Sequence, residues 1–235
     1  MRISGKILSQ ILKKVKEKVK PGIKTIELND YAESLMKEYK VVPSFKGYRE
    51  YPAVICTSVN QQIVHAIPGN TVLQPGDIIS IDAGVIYKDY HSDSTITVAL
   101  DPITPENKKF IRTAEKALFN AIKVATMGTH IGDISYIIQK TIESAGYSIV
   151  KEFTGHGIGK NLHEQPIIPN FGKKGKGPAL QSGMTIAIEP IAAMGKPHMQ
   201  ILADNWTAIT KDNSNAVQVE HTILITPTGP EILTL

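Results

Sequence analysis

Four carboxylic acids stand at mirrored places in two hairpins that the sequence predicts. Asp77 to Tyr87 reads as a strand, Lys88-Asp89 as a turn, and the residues from Asp93 to Leu100 as the return strand. Asp82 and Asp93 are equidistant from the Tyr87–Lys88 bond, which sets them face to face with Cβ atoms about 4.5–5.5 Å apart. Two ionised aspartates that close repel, unless a cation sits between them or one keeps its proton. The construction returns later in the chain. Met184 to Ile191 and Val217 to Thr226 read as strands, and Glu189 and Glu220 are equidistant from Asp204-Asn205, a reasonable loop centre. Gln218, Glu220 and Thr222 share the polar face of their strand, while Val219 and Ile223 take the other. Four acids from two such hairpins, meeting at one interface, suit a site for two hard cations.

Histidines supply the softer candidates. Thr154-Gly155-His156-Gly157-Ile158-Gly159 sets His156 among glycines, which let backbone approach a ligand closely. His163 follows in Leu162-His163-Glu164, and His65 lies in Ile63-Val64-His65-Ala66-Ile67-Pro68. A neutral imidazole ligates a metal or moves a proton near neutral pH. His91, His130, His198 and His221 are read as ordinary core or surface histidines. The glycine-rich stretch is no phosphate loop, because Lys160 is followed by Asn161 and not by Ser or Thr.

The elements that must position these groups come in two similar sets. Ile7, Leu8, Ile11, Leu12, Val15 and Val19 fall at helical spacing, with lysines on the opposite face and Pro21-Gly22 ending the helix. A second helix carries Leu28, Ala32, Leu35 and Met36. The pattern restarts at Thr104-Pro105-Glu106, an N-cap followed by a first-turn proline and acid. Helices carrying Phe110 to Ile122 and Ile134 to Ala145 follow, then strands to the end. Gly22 aligns with Gly128, Leu28 with Ile134 and Tyr31 with Ile137, and Asp82 to Glu189 spans nearly the same interval. The expectation is one catalytic domain over 1–235, with internal halves of about 1–103 and 104–235 and the site between them. Lys173 to Gly177 reads as an exposed loop tip.

Composition narrows the class. Of the 235 residues, 42% are hydrophobic and 20% charged, enough apolar content for a sizeable core. No apolar run approaches the roughly 20 residues of a membrane span. The lysine-interrupted N-terminal residues do not form a secretory pattern, so the chain reads as cytoplasmic. Its single cysteine, Cys56, excludes an internal disulfide and a cysteine-built zinc site. The net charge of +4 is read as a solvated lysine face on the first helix, with attraction to RNA-rich surroundings such as a ribosome as the alternative. No specific nucleic-acid or membrane partner is expected, and a monomer is the default.

Taken in order, Ser58-Val59-Asn60, Val64-His65-Ala66-Ile67-Pro68, Ile81-Asp82-Ala83-Gly84, Tyr90-His91-Ser92-Asp93-Ser94, Gly155-His156-Gly157-Ile158-Gly159, Ile188-Glu189-Pro190 and Val219-Glu220-His221-Thr222 resemble type I methionine aminopeptidase along essentially the whole chain. The resemblance implies the α+β pita-bread fold: a curved antiparallel sheet covered by two helix pairs, in pseudo-twofold halves. It implies two divalent metal ions (Co, Mn, Fe(II), Zn or Ni), with Asp82 on one, Asp93 and Glu220 bridging, and His156 and Glu189 completing the other. It also implies His65 and His163 as substrate contacts, Glu189 as proton acceptor, and Tyr48, Tyr51, Cys56, Leu162 and Trp206 as candidates for a methionine pocket. The implied reaction removes the N-terminal methionine of nascent peptides that carry a small second residue. A different enzyme of the same fold, specific for proline peptides, and a non-catalytic peptide-binding module are the rival readings. The short stretch between His163 and Glu189 leaves no room for the helical insertion of type II enzymes. Gln62 and Gln165 depart from the usual pattern, and Ser94-Thr95-Ile96-Thr97 lacks the common Arg-Thr after the second aspartate.

Overall fold

The two halves are built to one plan, visible first in how each second helix begins. The computed structural model describes residues 1–235. Helices α1 (Arg2–Lys18) and α2 (Thr25–Glu38) come first. After them come β1 (Val42–Pro43), β2 (Ile55–Val59), β3 (Gln62–Val64), β4 (Ile78–Tyr87) and β5 (Tyr90–Ala99). The second set opens with α3 (Pro105–Val124) and α4 (Ile131–Glu143). Strands β6 (Ser148–Ile149), β7 (Thr154–Gly157), β8 (Glu164–Pro169), β9 (Thr185–Ile188) and β10 (Ile191–Ala193) follow. The chain continues through β11 (Met199–Ile201), β12 (Ala208–Thr210), β13 (Ala216–Gln218), β14 (His221–Thr226) and β15 (Gly229–Ile232).

Ahead of α2, Gly22 adopts φ +89°, and ahead of α4, Gly128 adopts φ +88°. Each is a left-handed turn position that glycine takes without strain. Gly22 N donates to Leu73 O and Gly128 N to Leu180 O, both at 2.8 Å. Isolated antiparallel bridges then form at Lys24↔Val72 and His130↔Ala179. At α2, Glu27 accepts from Lys24 N, and at α4, Asp133 accepts from His130 N, so the same capping device starts both helices. On α3, Thr104 caps as expected, accepting from Asn107 N at 3.1 Å.

Every strand pair is antiparallel. The ladders run β1-β4-β2 with β5 on β4, then β13-β10-β6, β11-β12-β3 and β15-β14-β9-β7-β8. Each helix pair packs on its own core, and two smaller clusters, one around Ile63, Ile191 and Ala208 and one around Phe45, Cys56 and Leu162, join the halves. Leu8, Ile11, Leu12 and Val15 of α1 and Leu28 and Leu35 of α2 pack on Ile55, Ile79, Ile81 and Val85. Phe110, Leu118, Ile134 and Ile138 of the second pair pack on Ile186, Ile188, Val217 and Ile223. Between the cores, hydroxyls sew β5 to β13 and β14. Ser94 Oγ donates to Glu220 O at 2.8 Å, and Thr97 Oγ1 to Gln218 O at 2.6 Å. Glu220 N donates to Thr95 O at 3.0 Å. The Ser-Thr-Ile-Thr stretch that departs from the family pattern is thus the stitching between the halves.

Two expectations need correcting. The β4–β5 turn lies at Lys88-Asp89 as expected, with φ of 48° and 66°, but the hairpin is centred on the Lys88–Asp89 bond and not on Tyr87–Lys88. It pairs Tyr87 with Tyr90, Asp82 with Thr95 and Gly84 with Asp93. Asp82 and Asp93 therefore sit diagonally on one face, not directly opposed. The parity held and the centre of the turn moved. Neither later strand is continuous: β9 and β10 are separated by Glu189-Pro190, and β13 and β14 by Val219-Glu220. Pro190 has no N–H to offer a ladder. The flanking register, Ile188↔His221 and Ile191↔Gln218, sets the two breaks opposite each other, so Glu189 and Glu220 do face one another.

Helix α1 approaches so closely at Gly5 that a Cβ there would collide with the Leu233 carbonyl. Gly5→Ala is expected to cost about 1–3 kcal/mol through overpacking, which lowers Tm by roughly 2–4 °C per kcal/mol in a chain of this size. Calorimetry tests it, and an unchanged Tm would show that the contact is not rigid.

Candidate functional site

Asp82 projects from the middle of β4 and Asp93 from β5, while Glu189 and Glu220 stand at the two opposed strand breaks and His156 lies on β7. All five line one cavity of about 380 Å³ between the halves. Atoms of Asp93, His156 and Glu220 lie within 4.8 Å of one another. His156 Nε2 is 3.9 Å from Asp93 Oδ2 and 3.9 Å from Glu189 Oε1. All five side chains are buried.

Glycines flank His156 for a reason other than ligand approach. A Cβ on Gly155 would strike Ala187 O, and one on Gly157 would strike Gln165 O. The glycines let β7 lie between β9 and β8, and that squeeze sets the imidazole. His156 Nδ1 lies 2.8 Å from Gly157 O, so its proton resides on Nδ1 and Nε2 presents a lone pair to the carboxylates. Burial and the neighbouring His163 lower His156 to about 4, which keeps the ring neutral.

The acids are perturbed in the opposite sense. Burial, then mutual repulsion, pushes Asp93, Glu189 and Glu220 well above the usual carboxylate range. Burial also raises Asp82. Four such groups cannot all be ionised here unless cations share their field. Asp82 Oδ1, Asp93 Oδ1 and Glu220 Oε1 are buried with no hydrogen-bond partner. Orphaned buried oxygens are costly, and these belong to residues of the converging cluster. All-oxygen and imidazole donors with orphaned anionic atoms fit divalent cations.

The remaining oxygens are held. Thr95 Oγ1 donates to Glu220 Oε2 at 2.9 Å, and Gln218 Nε2 to Glu189 Oε2 at 3.2 Å. Sequence reasoning did not single out either partner for this task. The signal lay in strand parity, since Thr95 pairs with Asp82 across the ladder.

One part of the remaining cavity wall is apolar or aromatic, formed by Phe45, Tyr51, Cys56, Leu162 and Trp206, and His65 and His163 also line it. Cys56 pairs with Asp82 on β2–β4, so it borders the acids directly. Burial pushes its thiol far up, leaving a protonated wall group. Trp206 stacks edge-on against Tyr51 at 4.9 Å. Tyr48 lines the cavity, yet its hydroxyl is 2.8 Å from His163 Nδ1, which ties it to the histidine as well. The His163 ring lies 4.3 Å from that of His156. Phe45, Arg49, Glu152, Phe153 and Thr154 also line the cavity and were not anticipated. His91, His130 and His221 have partners outside it, in Ser44 Oγ, Gly177 O and Thr234 Oγ1. Gln62 Oε1 accepts from Val59 N at 2.8 Å, a structural contact.

Residues 1–227 match the model of metallopeptidase family M24. The chain is 46% identical to a methionine aminopeptidase of Clostridium perfringens over 235 residues, covering all of this chain and 94% of that protein. It is 44% identical to methionine aminopeptidase 1 of Bacillus subtilis, again over 100% of this chain and 94% of the relative. The crystal structure of methionine aminopeptidase from Thermotoga maritima superposes with a TM-score of 0.98 at 38% identity, covering 100% of this chain and 94% of that one. The architecture is the pita-bread fold, and the chain belongs to metallopeptidase family M24, in its methionine aminopeptidase branch.

Proposed function

We propose that this chain, acting as one catalytic domain of two halves (1–103 and 104–235), removes the N-terminal methionine from nascent peptides with a small second residue. The observation that carries the reading is the cavity itself, in which buried acids and a neutral imidazole converge beside a partly apolar wall. Asp82, Asp93, Glu220, Glu189 and His156 are the residues that would hold two divalent ions of the Mn, Fe(II), Co, Zn or Ni class. Such ions supply Lewis acidity and a positive field that ionises water and polarises a carbonyl.

The chain's own groups do the rest. Glu189, with one oxygen held by Gln218, takes the proton of the attacking water on its other oxygen. Tyr48 OH lies 2.8 Å from His163 Nδ1; with the phenol as donor, the His163 proton sits on Nε2 and is offered to the developing oxyanion, an effect worth roughly 3–4 kcal/mol for a well-placed donor. His65 is a neutral donor to the substrate, since burial lowers it to about 4. The free amine is received beside Asp82, which an internal peptide residue cannot satisfy. The methionine side chain fills the wall of Tyr51, Cys56, Leu162 and Trp206. No helix is long and apolar enough to cross a membrane. A cytoplasmic monomer meeting nascent chains, with the α1 lysines as a solvated face, completes the proposal.

Metal analysis with a peptide assay decides between this reading and its rivals. Met-Ala-Ser should be cleaved and Ala-Pro peptides should not. The reverse preference would point to a proline-specific enzyme, and metal-free inertness toward both to a binding module. Asp93→Ala should lose metal loading and drop kcat/KM by more than about a hundredfold. Full activity in that variant would refute the part assigned to Asp93 in holding metal. The His65 environment also predicts a pH effect. Its folded value lies below the ordinary 6.5, so its share of stability is complete above pH 6.5 and is lost as pH falls toward 4. His65→Gln should therefore be less acid-sensitive than the parent over that window, by on the order of 1–3 kcal/mol in urea titrations. Parallel curves would show that His65 is not desolvated.

A further inference from the structure

Behind Asp93 stands a chain of buried hydroxyls that leads out of the cavity to the segment following β15. Strand β15 pairs with β14 from Ile223↔Ile232 to Thr226↔Gly229. Past β15 the backbone stays alongside. Leu233 N donates to Thr222 O at 2.9 Å. Thr222 N donates to Thr234 Oγ1 at 3.2 Å, and the same hydroxyl pairs with His221 Nδ1 at 2.8 Å. Thr222 in turn brackets the aspartate: its Oγ1 accepts from Asp93 N at 3.0 Å and donates to Asp93 O at 2.7 Å. Thr222 is 0% exposed and Thr234 4%, so water cannot substitute for either hydroxyl.

The bracket is over-determined on one side and single on the other. Both backbone groups of Asp93 lean on one side chain, that of Thr222. Both backbone groups of Thr222 lean on Leu233 and Thr234. The segment is itself wedged in place, with Gly5 of α1 against the Leu233 carbonyl and the Arg2 guanidinium on both oxygens of Glu231 at 2.8 and 2.7 Å. A rotation of Thr222 moves the backbone from which the Asp93 carboxylate springs.

We infer that Thr234 is a positioning residue for the metal centre: acting through Thr222, it fixes the height at which Asp93 presents its carboxylate. The inference rests on the proposal that Asp93 holds metal. Groups standing behind metal ligands commonly change metal affinity by about 10–100-fold when removed.

The test is titration of Mn²⁺ into the metal-free full chain, followed by calorimetry, with amide hydrogen exchange read on the same samples. Thr234→Val keeps the shape and removes the hydroxyl. It should weaken Mn²⁺ binding about tenfold and speed exchange at Asp93 and Thr222, and Thr234→Ser should restore both. Arg2→Ala frees the exposed anchor of the same segment and should leave affinity unchanged. Equal affinity and equal Asp93 protection in Thr234→Val overturn the inference, as does an equal loss in Arg2→Ala. If Thr234→Val does not fold, exchange in the parent chain decides. Amides of Asp93, Thr222 and Leu233 opening as one unit support the role, and Asp93 staying protected while Leu233 exchanges overturns it. A parent chain that binds no Mn²⁺ sinks the metal reading instead, and the exchange comparison still judges the positioning.

Discussion

The confinement of four carboxyl groups in one buried space governs the rest of this structure. Each ionised carboxylate taken from water costs several kcal/mol even after relaxation, and each repels the others across a low-dielectric gap. Folding tolerates this only if the chain holds the acids rigidly and leaves them a way to share positive charge. The held oxygens of Glu189 and Glu220 meet Gln218 and Thr95. Asp82 Oδ1, Asp93 Oδ1 and Glu220 Oε1 are left without a hydrogen-bond partner, which fits the cation-holding role proposed above.

The duplicated plan explains how the confinement is achieved. Glu189 is steadied by Gln218 of its own half, but each half also lends support to an acid of the other. Asp93, from the first half, is bracketed by Thr222 of the second, and Glu220, from the second, is held by Ser94 and Thr95 of the first. The exchange is reciprocal. Short hydroxyl side chains suit the task because they donate and accept within a narrow gap and carry no charge into it.

Much of this was readable in the sequence. Helical periodicity placed all four helices, and Thr104-Pro105 marked the start of α3. Parity along β4 and β5 put Asp82 and Asp93 on one face, and equal spacing from Asp204-Asn205 placed Glu189 opposite Glu220. What escaped depends on geometry that spacing does not encode. A two-residue turn with both φ positive shifted the first hairpin by one step, because the turn's centre decides register. Pro190 hinted at a break in its strand, but nothing local marks the matching break at Val219-Glu220. The glycines around His156 looked like ligand approaches and serve strand crowding instead, a distinction that needs the neighbours Ala187 and Gln165. Tyr48 was legible as a wall residue but not as the partner of His163, because the two lie 115 positions apart.

The separate cores of the halves carry a further consequence. Asp82 and Asp93 ride on the core packed under α1 and α2, whereas His156, Glu189 and Glu220 are in the half packed under α3 and α4. A chain with one core formed and the other still loose brings only part of the buried cluster together. On the function proposed above, cations would by mass action favour the finished molecule over every half-built form, and hydrolytic power would arrive only with complete assembly.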